Sequence, residues 1–183
     1  NAVPKSDLYV FTPAIPKSHP AFSHVSGEGN QWYKRSEVLQ LITAAIPTLA
    51  VAGTHGKTTT TALLAHILTA SGVEIAAFVG GIMSDYGSNV VLTEDPKYIV
   101  VEADEFDRSF HKLSPEIGVI TSIDPDHLDV YGSIEQVRQD FQQFASNCKK
   151  LVLHDSLKNQ IEHENVLLYG DSVDADILLK WRI

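Results

Sequence analysis

Apolar residues in this chain gather in short continuous runs instead of alternating with polar ones. "PTLAVAG", "EIAAFVGG", "YIVVEADE" and "IGVITSID" each carry an apolar block that ends in glycine or acidic residues. Unbroken apolarity suits strands covered on both faces, as in a parallel sheet. "KKLVLHD", "NVLLYG" and "ADILLKWRI" read as further strands, and "DLYVFTPAI" as a short one stopped by Pro13 and Pro16. Between these runs the period changes. Leu63, Leu64, Ile67 and Leu68 form a helical stripe after Lys57, with Gly72 placed where a helix would end. The spacing also predicts a helix from Ser133 to Cys148. Ser133 and Gln136 form a capping box there, and Ile134, Val137, Phe141 and Phe144 share one side. Ser36–Thr43 reads as a shorter helix capped by Ser36, and His19–Gln31 as loop. The pattern is α/β, a mostly parallel sheet flanked by helices.

Composition narrows the function. The 183 residues are 44% hydrophobic and 20% charged, enough for one generous domain or one domain plus a piece of another. A net charge of -9 argues against a nucleic-acid partner, which calls for a basic face. The single Cys148 precludes an intrachain disulfide and suits a reducing cytoplasm. No apolar run reaches the roughly 20 residues a membrane-spanning helix needs. The chain opens without Met and in mid-pattern, so it reads as a fragment.

Three features fall at the expected carboxyl edge of the sheet, where α/β folds bind ligands. "VAGTHGKTTTT" places two glycines, a lysine and threonines between a buried strand and a helix. A helix N-terminus offers unpaired N–H groups and partial positive charge, and Gly53 and Gly56 allow close backbone approach to phosphate oxygens. Lys57 is suited to the β- and γ-phosphates, and the Thr58 hydroxyl to Mg2+. The glycine spacing is shorter than the usual G-x-x-x-x-G-K-[ST], with Val51 where a glycine is expected. "VVEADEFD" runs an apolar strand into Glu102, Asp104, Glu105 and Asp107, with Glu102 and Asp104 on one face if the strand persists. In "VITSIDPDHLD", His127 stands among Asp124, Asp126 and Asp129 and is a candidate ligand for a second metal. A nucleotide, two divalent cations and no serine or cysteine nucleophile point to phosphoryl transfer.

"GTHGKTTTT", "VEADEFDRSF" and "TSIDPDHLDVYG", in this order and spacing, resemble the Mur ligase family. The short G-T-x-G-K-[ST] loop is that family's form. The resemblance implies ATP-dependent amide formation on UDP-N-acetylmuramate, with L-alanine as the incoming amine and an acyl phosphate between. A related branch that adds a ready-made tripeptide is the alternative, and a P-loop nucleotide hydrolase or binding module is the alternative from another class. By motif match, Gly53, Thr54, His55, Gly56, Lys57, Thr58 and Thr59 cradle ATP. Thr58 and Glu102 hold the first Mg2+, and His127 holds a second metal. Lys57, Glu102 and His127 carry the catalysis. Asp104, Asp107 and Ser109 fall where the muramyl substrate sits. Residues 1–46 correspond to the end of a Rossmann-like UDP-binding domain and 47–183 to part of the central ATP-binding domain. A C-terminal domain that brings the amino acid is expected to be missing, leaving this piece unable to complete catalysis alone. Oligomeric state is not readable from the chain.

Overall fold

A computed structural model describes residues 3–12, 15–16, 18–25, 31–105, 108–124 and 133–179. Among these the chain separates into two compact units, Asn1–Ile42 and Thr43–Ile183.

In the first unit, β1 (Leu8–Phe11) pairs in parallel with β2 (Gln31–Lys34). Phe11, Phe22 and Trp32 cluster, with the Phe22 and Trp32 rings stacked at 5.2 Å. Part of the stretch expected as loop is a helix, α1 (Pro20–Val25). Pro20 opens it, and proline is well tolerated at a first helical position because the missing N–H would have no partner there. Helix α2 (Arg35–Ala45) also begins earlier than expected. Ser36 therefore lies inside its first turn, and the Glu37 carboxylate accepts from the Lys34 N–H at 2.7 Å instead.

The second unit is built on an eight-stranded sheet. Its strands are β3 (Thr48–Ala52), β4 (Ile75–Met83), β5 (Ser88–Leu92), β6 (Tyr98–Glu102), β7 (Ile117–Ile120), β8 (Lys150–His154), β9 (Val166–Gly170) and β10 (Ile177–Leu178). They lie in the order β10-β9-β8-β7-β3-β6-β4-β5. Every pairing is parallel except β4 with β5, a hairpin the apolar pattern did not predict. Ala50, Val51 and Ala52 of β3 are fully buried. That strand lies at the centre, with β6 on one side and β7 on the other.

Helix α3 (Lys57–Ala70) covers the sheet, but not with the predicted stripe. Thr61 and Ala65 are its buried residues, with Leu64 and Leu68 packed on the core, while Leu63 and Ile67 are more than half exposed. The small side chains at Thr61 and Ala65 set the contact face, because only they let the helix backbone approach the strands closely. Its end matches expectation: Gly72 is left-handed (φ 78°), its N–H bonds to Thr69 O and that of Val73 to Leu68 O. This is the Schellman arrangement.

Helix α4 (Ile134–Ser146) buries Val137, Phe141 and Phe144. The Ser133 hydroxyl accepts from the Gln136 N–H at 3.3 Å, but Gln136 turns its amide to Asp140, so only half of the capping box forms. A 3-10 turn, Ser109–Lys112, inserts Phe110 against Phe141 and Phe144. Each such aromatic pair contributes about 0.5–1.5 kcal/mol beyond burial, and together they pin the segment that follows β6.

Candidate nucleotide site

Strands β3, β6 and β7 end side by side, with Val51 in register with Glu102 and Ala52 with Ile120. Everything that follows these three ends is therefore brought together. From β3 the chain enters the loop 53–56. Gly53 takes φ 142° and Gly56 φ 80°, backbone conformations that a side chain disfavours. A Cβ at Gly53 would also collide with the Thr121 hydroxyl. Gly56 precedes α3, and among the described residues no side chain caps that helix. Its first N–H groups are left for an anion, with the helix dipole favouring negative charge.

The loop is laced to the end of β7 by residues whose role sequence reasoning missed. The Thr54 N–H donates to Ser122 O at 3.0 Å, and the His55 N–H to Ser122 Oγ at 3.0 Å. Thr121 Oγ1 donates to His55 O at 2.5 Å. The Asp124 N–H donates to Thr54 Oγ1 at 3.0 Å. The His55 ring lies 3.9 Å from the Asp124 carboxylate and is exposed. Thr59 is exposed on the first turn of α3.

Glu102 meets α3 from the neighbouring strand. Thr58 Oγ1 donates to Glu102 Oε1 at 2.9 Å, and the Gly80 N–H donates to Oε2 at 2.6 Å. Gly80 lies in the irregular stretch of the β4–β5 ladder between Phe78 and Met83. A Cβ there would stand 2.6–2.8 Å from the Glu102 carboxylate. A hydroxyl and a carboxylate side by side form a hard oxygen pair that fits Mg2+, which takes few protein ligands and fills its shell with phosphate and water. Among the described residues, no group of three or more His, Cys, Asp or Glu could hold a metal without such help.

Lys57 donates to Gly53 O at 2.6 Å and to Glu105 Oε1 at 2.8 Å. Glu105 was visible only as one of four acidic residues after β6, with nothing in the spacing to single it out. Asp104 presents its carbonyl to the Ser109 hydroxyl at 3.3 Å and to the Phe110 N–H at 3.3 Å. Ser109 thus helps close the turn. Arg108 is the one non-glycine residue with positive φ (55°) among those described, and its Nε donates to the buried Asp140 at 2.9 Å. Asp107, Asp126, His127 and Asp129 lie outside the described residues. An open cleft of about 500 Å3 runs between α3 and the β4–β5 hairpin, lined by Thr58, Thr59, Leu63, His66, Ile82 and Tyr86 among others.

Residues 51–181 match the family model of the Mur ligase middle domain. The chain belongs to the Mur ligase family. Among curated relatives, it is 50% identical over 143 residues to the UDP-N-acetylmuramate–L-alanine ligase of Phocaeicola vulgatus. That match takes in 78% of this chain and 31% of the relative. It is 39% identical over 179 residues to the ligase of the same name from Cytophaga hutchinsonii, across 93% of this chain and 38% of that one. The chain thus spans about a third of the length of these relatives. Among solved structures, the UDP-N-acetylmuramate–alanine ligase of Thermotoga maritima superposes with a TM-score of 0.74 at 29% identity. That superposition takes in 90% of this chain and 38% of that structure. A ligase from Neisseria meningitides with UDP-N-acetylmuramate and a tripeptide in its name gives 0.75 at 23% identity, over 90% and 59%. At that identity the likeness is one of fold. These neighbours bear out the expected α/β architecture of a Mur ligase.

Proposed function

We propose that the protein carrying this segment joins L-alanine to UDP-N-acetylmuramate at the expense of ATP, and that residues 43–183 hold the nucleotide. Support comes above all from the 2.9 Å bond between Thr58 and Glu102 at an uncapped helix start. It puts a hydroxyl and a carboxylate oxygen, the kind of pair Mg2+ takes, beside a loop and helix start suited to phosphate. The curated relatives named for L-alanine favour that amine over a tripeptide.

In this reading the N–H groups that open α3 bind the phosphates, and Lys57 neutralises charge on the β- and γ-oxygens. Gly53, Thr54, His55, Gly56 and Thr59 shape the cradle. Thr58 and Glu102 would hold Mg2+, which when bound screens the charge between triphosphate and carboxylate. His127 would serve a second metal site. The cleft beside Thr58 would give the acceptor room to approach, and the motif match gives Asp104, Asp107 and Ser109 as contacts to the muramyl substrate. The acceptor carboxylate takes the γ-phosphoryl group, releasing ADP. The amine then displaces phosphate from the acyl phosphate to leave the amide. Residues 1–46 belong to the UDP-binding domain and 47–183 to the central domain. Cytoplasmic work is part of this proposal; among the described residues no helix is long and apolar enough to cross a membrane.

The test is ADP release by the complete gene product with UDP-N-acetylmuramate and either L-alanine or the tripeptide. Release that requires both the sugar nucleotide and L-alanine supports the proposal. Preference for the tripeptide, or release without either acceptor, overturns it.

A further inference from the structure

Lys57 is held from two sides. Its ammonium has three donors, and two of them are spent on Gly53 O and Glu105 Oε1 at 2.6 and 2.8 Å. The lysine and glutamate side chains are 16% and 8% exposed. Glu105 Oε2 is buried and has no hydrogen-bond partner among the described residues. Burying a carboxylate with one oxygen unsatisfied costs stability, and an apolar residue of similar volume avoids that cost. The carboxylate is therefore poorly explained as a tie for the surrounding backbone and well explained by the ammonium it holds.

We propose that Glu105 is a positioning residue for the phosphate-binding lysine. Resting on the nucleotide reading above, it fixes the Lys57 ammonium between two acceptors and leaves the third N–H for a phosphate oxygen. A free lysine side chain samples many rotamers, and most of that freedom is removed before the nucleotide arrives. Glu105 acts through Lys57 and does not touch the substrate. Its negative charge opposes the pull of Lys57 on ATP, so its loss harms the orientation needed in the transition state more than the binding of the ground state.

The experiment compares the complete gene product with its Glu105→Ala and Glu105→Gln variants. It measures kcat, KM for ATP, equilibrium binding of a fluorescent ATP analogue, and Tm. In E105A, kcat falls on the order of ten- to a hundredfold, as for other misplaced catalytic groups. KM for ATP and analogue affinity stay within about twofold, the pattern of an interaction that matters in the transition state. E105Q keeps an acceptor oxygen in place and recovers most of kcat. Three results overturn the assignment: unchanged kcat in E105A, equal loss of kcat in both variants, or a kcat loss matched by a rise in KM for every substrate and a lower Tm. If the parent protein itself fails to bind the analogue, the nucleotide reading falls and the role of Glu105 falls with it.

Discussion

The backbone N–H of Gly80 reaches the carboxylate of Glu102 at 2.6 Å, across from the Thr58 hydroxyl on the other oxygen. Strand β4 thus aims a side chain that belongs to β6. Gly80→Ala would place a methyl 2.6–2.8 Å from that carboxylate. The carboxylate is the free end of a long side chain and gives way before the backbone does, so Glu102 must turn away from Thr58. Affinity for Mn2+ in the presence of ATP is expected to drop about 10- to 100-fold, the range for loss of a metal site's outer support. Titration followed by electron spin resonance reads this directly, and unchanged affinity would remove Gly80 from the site.

Lys57 and Glu105 also bear on stability. Lys57→Met leaves a buried carboxylate without its partner, a loss on the order of 3 kcal/mol. Adding Glu105→Leu removes the stranded charge and is expected to restore most of that. Urea unfolding of the two variants checks it; a double variant less stable than the single one would contradict the coupling.

Burial pushes the Cys148 thiol up to about 12 from its usual 9.0. It packs beneath Gly118 and donates to Phe144 O at 3.2 Å. A thiol held that high has on the order of a thousandfold less thiolate at pH 8 than a free one. Iodoacetamide labelling of the folded protein should be slower than that of the urea-unfolded protein by a comparable factor. Labelling at equal rates would show the site to be open.

The Ser172 hydroxyl and N–H hold the Asp155 carboxyl below its ordinary range, with His154 adding to the effect. A carboxyl lowered in the folded state contributes stability above its unfolded value, near 3.9. That contribution disappears as pH falls through the folded value. Asp155→Asn is therefore expected to lower Tm at pH 7, with the gap to the parent closing below about pH 4. A gap that widens on acidification would reverse the assignment.

Most of the sheet was legible because strands buried on both faces leave unbroken apolar runs, and β3, β6 and β7 all do. The hairpin strand β5 was not. It sits at the sheet edge with Leu92 71% exposed and Val91 alone of its residues buried, so its sequence carries little burial signal. The face of α3 was misread because close helix–sheet approach selects Thr61 and Ala65, residues that a hydrophobic stripe ignores. At the site, Lys57, Thr58 and Glu102 could be picked out because glycines and strand ends frame them. The partners that hold them in place, Gly80, Glu105, Thr121 and Ser122, are fixed by strand order, which no local pattern encodes.

The hydrogen bonds that lace Thr54 and His55 to Thr121 and Ser122 join stretches nearly seventy residues apart. A loop already closed in this way has little disorder left to surrender when a ligand arrives. The proposed nucleotide capture is therefore expected to show a small heat-capacity change and none of the heavy entropic penalty of coupled folding. In a calorimeter that is the signature of a rigid receptor.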